Sequence, residues 1–218
     1  MTDATLGPAF SGLSFPSAGW QSCDASEFPE RPYPGRRPSG SWRLTASGTV
    51  QGLQPSGRDW VDRLTDEVVS RAGRHLVLGY GSNVNPAKLA SCYKRQEVIV
   101  LRAAVFDWAA AWCSRRRNAG DVVATLVEAP GQVEVHAVIA VTDAQRQKMD
   151  TIEGHPDCYR RQIFAGTVLL ENGETVSPEV YIGTPQRRPT LLIDGRPAMC
   201  SQYPYDAVDQ LVPRAGRS

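Results

Sequence analysis

Between residues 75 and 183, apolar positions alternate with polar ones or form short runs, a pattern typical of β-strands. Turn residues separate these runs. Asn172-Gly173 is a strong hairpin signal, and Ala129-Pro130-Gly131 is expected to form another hairpin turn. The sequence therefore predicts strands at residues 76–80, 97–106, 108–113, 122–128, 133–141, 159–170 and 175–183.

Local signals also predict short helices. Asn85-Pro86 is a good helix start, because Asn caps the first turn and Pro is favoured at the first helical position. Thr142 and Gln145 match a capping box, and the helix that they open is expected to end at Gly154. A last helix is expected over residues 205–212, and apolar residues at three-to-four spacing predict a further helix over residues 58–72.

Residues 1–58 differ from the rest because proline and glycine are frequent and neither alternation nor a helical period is present. We interpret them as an irregular N-terminal arm, followed by a linking helix at 59–74 and a domain at 75–218. Many antiparallel strands with a few short helices indicate an α+β fold. We expect a small mixed β-barrel or a strongly curled sheet with short flanking helices.

The composition of the chain limits which binding partners and metal sites are expected. The 218 residues carry a formal net charge of +1, which favours neither a nucleic-acid partner nor a membrane surface. The run Arg115-Arg116-Arg117 is interpreted as a solvated turn between strands. Five scattered cysteines without a Cys-x-x-Cys pair suit reduced thiols and predict a cytoplasmic protein. The three histidines lack metal-ligand spacing, so no metal is predicted.

Two segments combine into a candidate acid–base site. Residues 76–83 are an apolar strand that runs into a glycine-bearing loop, whose free N–H groups are able to bind an anion. Glu153 lies at the end of the predicted 142–153 helix, where the negative end of the helix dipole favours proton binding and suits a general base. From spacing alone, an exposed helix-terminal glutamate and a plain strand-to-helix turn fit the same residues.

In order along the chain, these segments resemble the gamma-glutamyl cyclotransferase family, which includes the AIG2-like gamma-glutamylamine cyclotransferases. The resemblance covers roughly residues 75–215. It rests on Tyr80-Gly81-Ser82-Asn83, on the predicted hairpin at 123–138, on residues 149–154 followed by Tyr159, and on Val180-Tyr181.

The resemblance implies a reaction in which the α-amine of a small gamma-glutamyl substrate attacks its own γ-carbonyl, giving 5-oxoproline and a free amine. It implies Glu153 as the general acid and base, and no cofactor. The substrate-binding residues that it implies are Tyr80, Gly81, Ser82, Asn83, Tyr159 and Tyr181. The glutathione-specific branch usually carries Leu where Asn83 stands, so another branch is favoured. The identity of the amine is left open.

Two other functions fit the same sequence. One is a catalytically silent binding or regulatory module on this fold. The other is an amidohydrolase that acts on gamma-glutamyl-protected intermediates. The N-terminal arm is a candidate for capping the site, for forming a homodimer or for recruiting a pathway partner.

Overall fold

The computed structural model describes residues 19–214, so the predicted arm is described only from residue 19 onward. No helix within this range is long and apolar enough to cross a membrane. The helices are α1 (Pro86–Cys92), α2 (Asp143–Glu153) and α3 (Tyr205–Leu211), with 3-10 helices at Ala25–Glu27 and Ser82–Val84. The strands are β1 (Ser22–Asp24), β2 (Trp42–Leu44), β3 (Thr49–Ser56), β4 (Asp59–Asp62), β5 (Val68–Val69), β6 (His75–Gly79), β7 (Val98–Arg116), β8 (Val122–Val141), β9 (Tyr159–Ile163), β10 (Thr167–Leu170), β11 (Thr175–Val176), β12 (Glu179–Gly183), β13 (Leu192–Ile193) and β14 (Arg196–Pro197).

The main sheet runs in the order β5-β4-β3-β2-β7-β8-β6-β12-β9. Neighbours along this path are antiparallel except β6 and β12, which are parallel. The path is open at both ends within the described residues, so the sheet does not close into a barrel, and the expected β-barrel is wrong. The α+β class is confirmed.

Two long strands, β7 and β8, form the centre of the molecule and replace four predicted ones. The predicted hairpin turn at 129–131 is wrong, because these residues form an irregularity within β8 opposite Asp107. Asp107 and Gly131 both have positive φ, and the Asp107 side chain accepts the Gly131 N–H at 2.7 Å. The true turn of this hairpin lies at residues 117–121.

Both faces of the central strands are buried. Val98 and Val100 of β7 pack into one core cluster, and Ile99 and Leu101 pack into another on the opposite face. This explains the long apolar runs in these strands, because a strand covered on both sides has little need for polar alternation.

The linking helix predicted over residues 59–74 is wrong, since this segment contains the antiparallel pair β4–β5. Trp60 and Val69 are buried cross-strand partners. The buried Asp62 carboxylate holds the turn by accepting the N–H groups of Leu64 and Thr65. The apolar residues of this segment are therefore placed by pairing between two strands, although their spacing along the chain resembles a helical period.

The arm is more regular than predicted. From residue 19 onward it supplies β1, β2 and β3, and β2 pairs directly with β7. The predicted strand at 159–170 is also divided, because β9 pairs with β12 whereas β10 pairs with β7 and β11.

The helix boundaries agree with their local signals. The Asn85 side chain accepts the Lys88 N–H at 2.9 Å, with Pro86 at the first helical position of α1. Thr142 and Gln145 form the predicted capping box of α2, and Gly154 ends that helix in the left-handed conformation. The last predicted helix is α3.

Asn85 also joins the arm to the core. Its buried amide group donates to three backbone carbonyls of the arm: Phe28 at 3.0 Å, Pro29 at 3.2 Å and Arg36 at 2.7 Å. One side chain therefore caps α1 and anchors the arm.

We predict that Asn85→Asp destabilises the protein, because a carboxylate oxygen would replace the buried donor that faces three backbone carbonyls of the arm. The cap on α1 would survive. We expect the free energy of unfolding to fall by about 2–4 kcal/mol, as for loss of a buried donor combined with burial of an unpaired charge. Urea unfolding measures this change, with Asn118→Asp at an exposed turn position as the matched control. Equal stability of the two variants would contradict the anchoring role.

Candidate functional site

A cavity of about 220 Å³ lies where the loop after β6 meets the end of α2 and the central hairpin. The seven residues singled out from the sequence all line it: Tyr80, Gly81, Ser82, Asn83, Glu153, Tyr159 and Tyr181. Residues separated by up to a hundred positions along the chain thus share one small space.

The half-buried Glu153 is held by the loop on the other side of the cavity. The Asn83 Nδ2 group donates to Glu153 Oε1 at 2.8 Å. The Asn83 Oδ1 atom in turn accepts from Lys88 Nζ at 2.7 Å, and Lys88 Nζ also lies 2.9 Å from Ser82 Oγ. This chain of hydrogen bonds fixes the carboxylate and leaves its second oxygen, Oε2, available to a ligand.

Lys88 was missed by the sequence analysis. It is the third residue of α1, where a cation opposes the positive end of the helix dipole. No carboxylate pairs with its ammonium group anywhere in the described range. An unfavourable cation directly after a candidate anion loop was the signal that could have identified it.

The loop itself presents backbone donors. Ser82–Val84 is a single 3-10 turn, and its cap residue Gly81 gives it no side-chain hydrogen bond. The first N–H groups of such a turn have no partner within the turn. They are thus suited to bind an anion, as the sequence predicted for this loop.

Tyr33 of the arm packs onto the loop and also lines the cavity. A methyl group at Gly81 would overlap the Tyr33 hydroxyl oxygen, whereas the ring carbon Cζ would be 3.5 Å away. That hydroxyl also accepts the Ala124 N–H at 3.1 Å. Gly81 is therefore required by a tyrosine from the arm, a contact that no local sequence signal revealed.

The three predicted tyrosines form the cavity wall, and their hydroxyl groups are engaged with the protein. Tyr80 donates to the Tyr181 carbonyl, and Tyr159 donates to the Ala124 carbonyl at 2.9 Å. Burial raises the pKa of Tyr80 and of Tyr159 well above the usual value, so both remain protonated donors at neutral pH.

Tyr181 donates its hydroxyl to Asp150 Oδ1 at 2.7 Å. Burial alone would raise the pKa of Asp150, but hydrogen bonds from Arg161 and Tyr181 outweigh burial and lower it. Asp150 is thus a charged anchor for Tyr181, and this phenol is oriented by the helix that carries Glu153.

Two arginines on the cavity wall were not predicted as site residues. Arg117 lies in the turn of the central hairpin and pairs with the buried Asp121, with Nε 2.8 Å from Oδ2. Arg188 follows β12, and its guanidinium carbon lies 5.6 Å from the centre of the Tyr159 ring. The Arg188 Nε atom is buried without a hydrogen-bond partner, and no carboxylate pairs with this guanidinium among residues 19–214.

The described residues do not contain a cluster of side chains that could bind a metal ion. Across residues 19–214, no three His, Cys, Asp or Glu side chains are grouped closely enough to hold an ion. The site consists instead of one carboxylate, three cations, a loop of backbone donors and a tyrosine wall.

Several solved structures are similar to this chain at low sequence identity. A gamma-glutamyl cyclotransferase has a TM-score of 0.44 and 16% identity, with 50% of this chain and 66% of that chain covered. An Arabidopsis thaliana protein solved in solution has a TM-score of 0.44 and 18% identity, with 65% and 85% covered. A glutathione-specific gamma-glutamyl cyclotransferase from yeast has a TM-score of 0.41 and 17% identity, with 64% and 86% covered.

No curated protein sequence matches the chain significantly. A family model described as gamma-glutamyl cyclotransferase, AIG2-like, matches residues 77–197, which is more than half of the chain and includes Glu153, Tyr181 and the loop after β6. The chain therefore belongs to the gamma-glutamyl cyclotransferase, AIG2-like family.

Proposed function

We propose that this protein is a cyclotransferase that converts a gamma-glutamyl amide into 5-oxoproline and a free amine, with Glu153 as the general acid and base. The observation that carries the proposal is the hydrogen bond between Asn83 and Glu153 inside a small cavity. It holds a single carboxylate beside a loop of backbone donors, which is the minimum that this reaction needs.

The substrate supplies its own nucleophile. Its α-ammonium group first gives a proton to Glu153, and the neutral amine then attacks the γ-carbonyl carbon. The new C–N bond closes the ring, and the carbonyl oxygen becomes an oxyanion. When this intermediate collapses, the bond to the amine breaks. Both protons that the ring nitrogen has lost end on the departing amine, so the reaction consumes no water and no cosubstrate.

Two negative charges need stabilisation in this mechanism: the substrate α-carboxylate and the oxyanion. Two sets of donors lie beside Glu153 on the lining of the cavity, namely the backbone N–H groups of Ser82 and Asn83 and the Lys88 ammonium group. Donors fixed before the reaction stabilise developing charge without the cost of reorganisation. The Asn83 amide keeps Glu153 from pairing directly with Lys88, because it lies between them.

We predict that Glu153→Gln lowers kcat by a factor of about 10²–10⁴, the usual effect of removing a general base. The variant keeps the size of the side chain and one oxygen that can accept the Asn83 amide, but it cannot take up the proton. The measurement is 5-oxoproline release by mass spectrometry from gamma-glutamyl-alanine, gamma-glutamyl-lysine and glutathione.

The exposed Glu128→Gln is the matched control for this experiment. Full activity of Glu153→Gln would refute the role of Glu153. Release of glutamate in place of 5-oxoproline would identify an amidohydrolase. Absence of turnover by the wild-type protein on a broad gamma-glutamyl panel would indicate a silent binding module.

A second prediction concerns the contact between the arm and the loop. Gly81→Ala should lower kcat/KM about tenfold or more, because the added methyl group displaces either the loop or Tyr33, and small displacements of positioning groups have effects of this size. Tyr33→Phe removes the overlapping oxygen. We therefore expect the double variant Gly81→Ala/Tyr33→Phe to be more active than Gly81→Ala alone.

Steady-state kinetics on the preferred substrate, with thermal unfolding as a check on folding, measures this coupling. If the effects of the two substitutions simply add, Tyr33 is not the group that requires a glycine at position 81.

A further inference from the structure

A second cavity adjoins the candidate site and is strongly basic. It has a volume of about 800 Å³ and lies around the turn of the central hairpin. Five arginines and two aspartates are among its lining residues: Arg31, Arg115, Arg116, Arg117, Arg214, Asp121 and Asp209. The whole chain has a formal net charge of only +1, so this concentration of positive charge is local. We call this space the basic groove.

The two carboxylates of the basic groove are already shared between arginines. Asp121 pairs with Arg117 and lies 3.6 Å from Arg31, while Asp209 pairs with Arg116 and Arg214. Arg115 instead donates to the Gln186 carbonyl at 2.7 Å. An anion entering the groove would therefore meet excess positive charge.

Arg117 lines both the basic groove and the candidate site, so the two spaces meet at its side chain. Arg188, whose buried Nε lacks a partner, also faces the candidate site. Both guanidinium groups come from outside the loop and α2, the elements that present the backbone donors and Glu153. In the proposed function, Lys88 and the loop amides already bind the gamma-glutamyl half of the substrate. Arg117 and Arg188 are therefore available to bind the amine half of the substrate.

We propose that the basic groove binds the amine half of the substrate, and that this half carries negative charge beyond the scissile amide, as a phosphate or as side-chain carboxylates. The proposal rests on the proposed cyclotransferase function. Arg117 and Arg188 contact the anion nearest the reacting bond, and Arg115 lies farther along the groove. Amines without such a negative group gain no binding affinity from the basic groove. Guanidinium groups suit the shared chemistry, because their planar donors match phosphate and carboxylate oxygens.

The test uses substrate pairs that differ only in charge. Gamma-glutamyl-phosphoserine is compared with gamma-glutamyl-serine, and gamma-glutamyl-glutamate with gamma-glutamyl-glutamine. At low salt, we expect the charged member of at least one pair to have a kcat/KM about tenfold higher, through a lower KM, since a hydrogen bond to a charged group has an effect of this order. The preference should decrease as salt screens the groove. A preference confined to one pair identifies the anion as phosphate or carboxylate.

Arg117→Gln and Arg115→Gln should each reduce kcat/KM for the substrate with the phosphate or side-chain carboxylate several-fold more than for its partner without that group. Arg58→Gln, at an exposed position with no side-chain hydrogen bond among the described residues, is the control for the change in net charge. Equal kcat/KM within both pairs, or equal losses in Arg58→Gln and the groove variants, would overturn the proposal.

Calorimetric binding of the same pairs to Glu153→Gln separates this proposal from the proposed function. A binding preference for the charged member without 5-oxoproline formation by the wild-type protein would reject the cyclotransferase and retain the anion site. Turnover of both members without a preference in binding or kinetics would do the reverse.

Discussion

The side-chain amide of Asn85 is the constraint on which the rest of the site depends. This amide is buried, and both of its polar atoms form hydrogen bonds. Its oxygen accepts an N–H of the first turn of α1, and its nitrogen donates to three carbonyls of the arm. A buried donor left without an acceptor costs about 1–3 kcal/mol, so the Asn85 amide holds the arm in one position. That position places Tyr33 against Gly81 and Ala124, which completes the cavity wall.

The carboxylate of Glu153 is positioned by rigid elements. The helix α2 is fixed at its start by a capping box and at its end by the left-handed Gly154. The Gln145 side chain also donates to the Glu97 carbonyl at 2.8 Å, which ties the first turn of the helix to the start of the central hairpin. Asn83 then orients the carboxylate from the opposite element. The proposed cyclisation depends on orientation, so it benefits from a carboxylate that is held in this way.

The sequence was most informative where structure is set by near neighbours. Caps at Asn85 and Thr142, the stop at Gly154 and the turn at Asn172-Gly173 depend on a few adjacent residues, and the structure has all of them. A strand end and a helix end gave local signals for the loop after β6 and for Glu153, but the resemblance to the family was needed to assign them to one site.

Pairing between distant segments was harder to predict. The buried pair Trp60 and Val69 produced a false helical period, and the apolar runs of β7 and β8 concealed one long hairpin. Tyr33 reaches the cavity from a segment with no pattern of its own. Arg117 belongs to a run that is usually solvated, and only the fold shows that one of its members faces a ligand-sized space.

The pairing of β2 with β7 has a consequence for where the functional unit begins. The family segment starts at residue 77, yet the hydrogen-bonding edge of Val98–Val100 is covered by Trp42–Leu44 from upstream of it. A shortened protein cut at the family boundary would expose that edge, which invites intermolecular strand addition. It would also leave the candidate site open on the side that Tyr33 closes. The segment matched by the family model is thus shorter than the segment needed to cover the edge of β7 and to close the cavity.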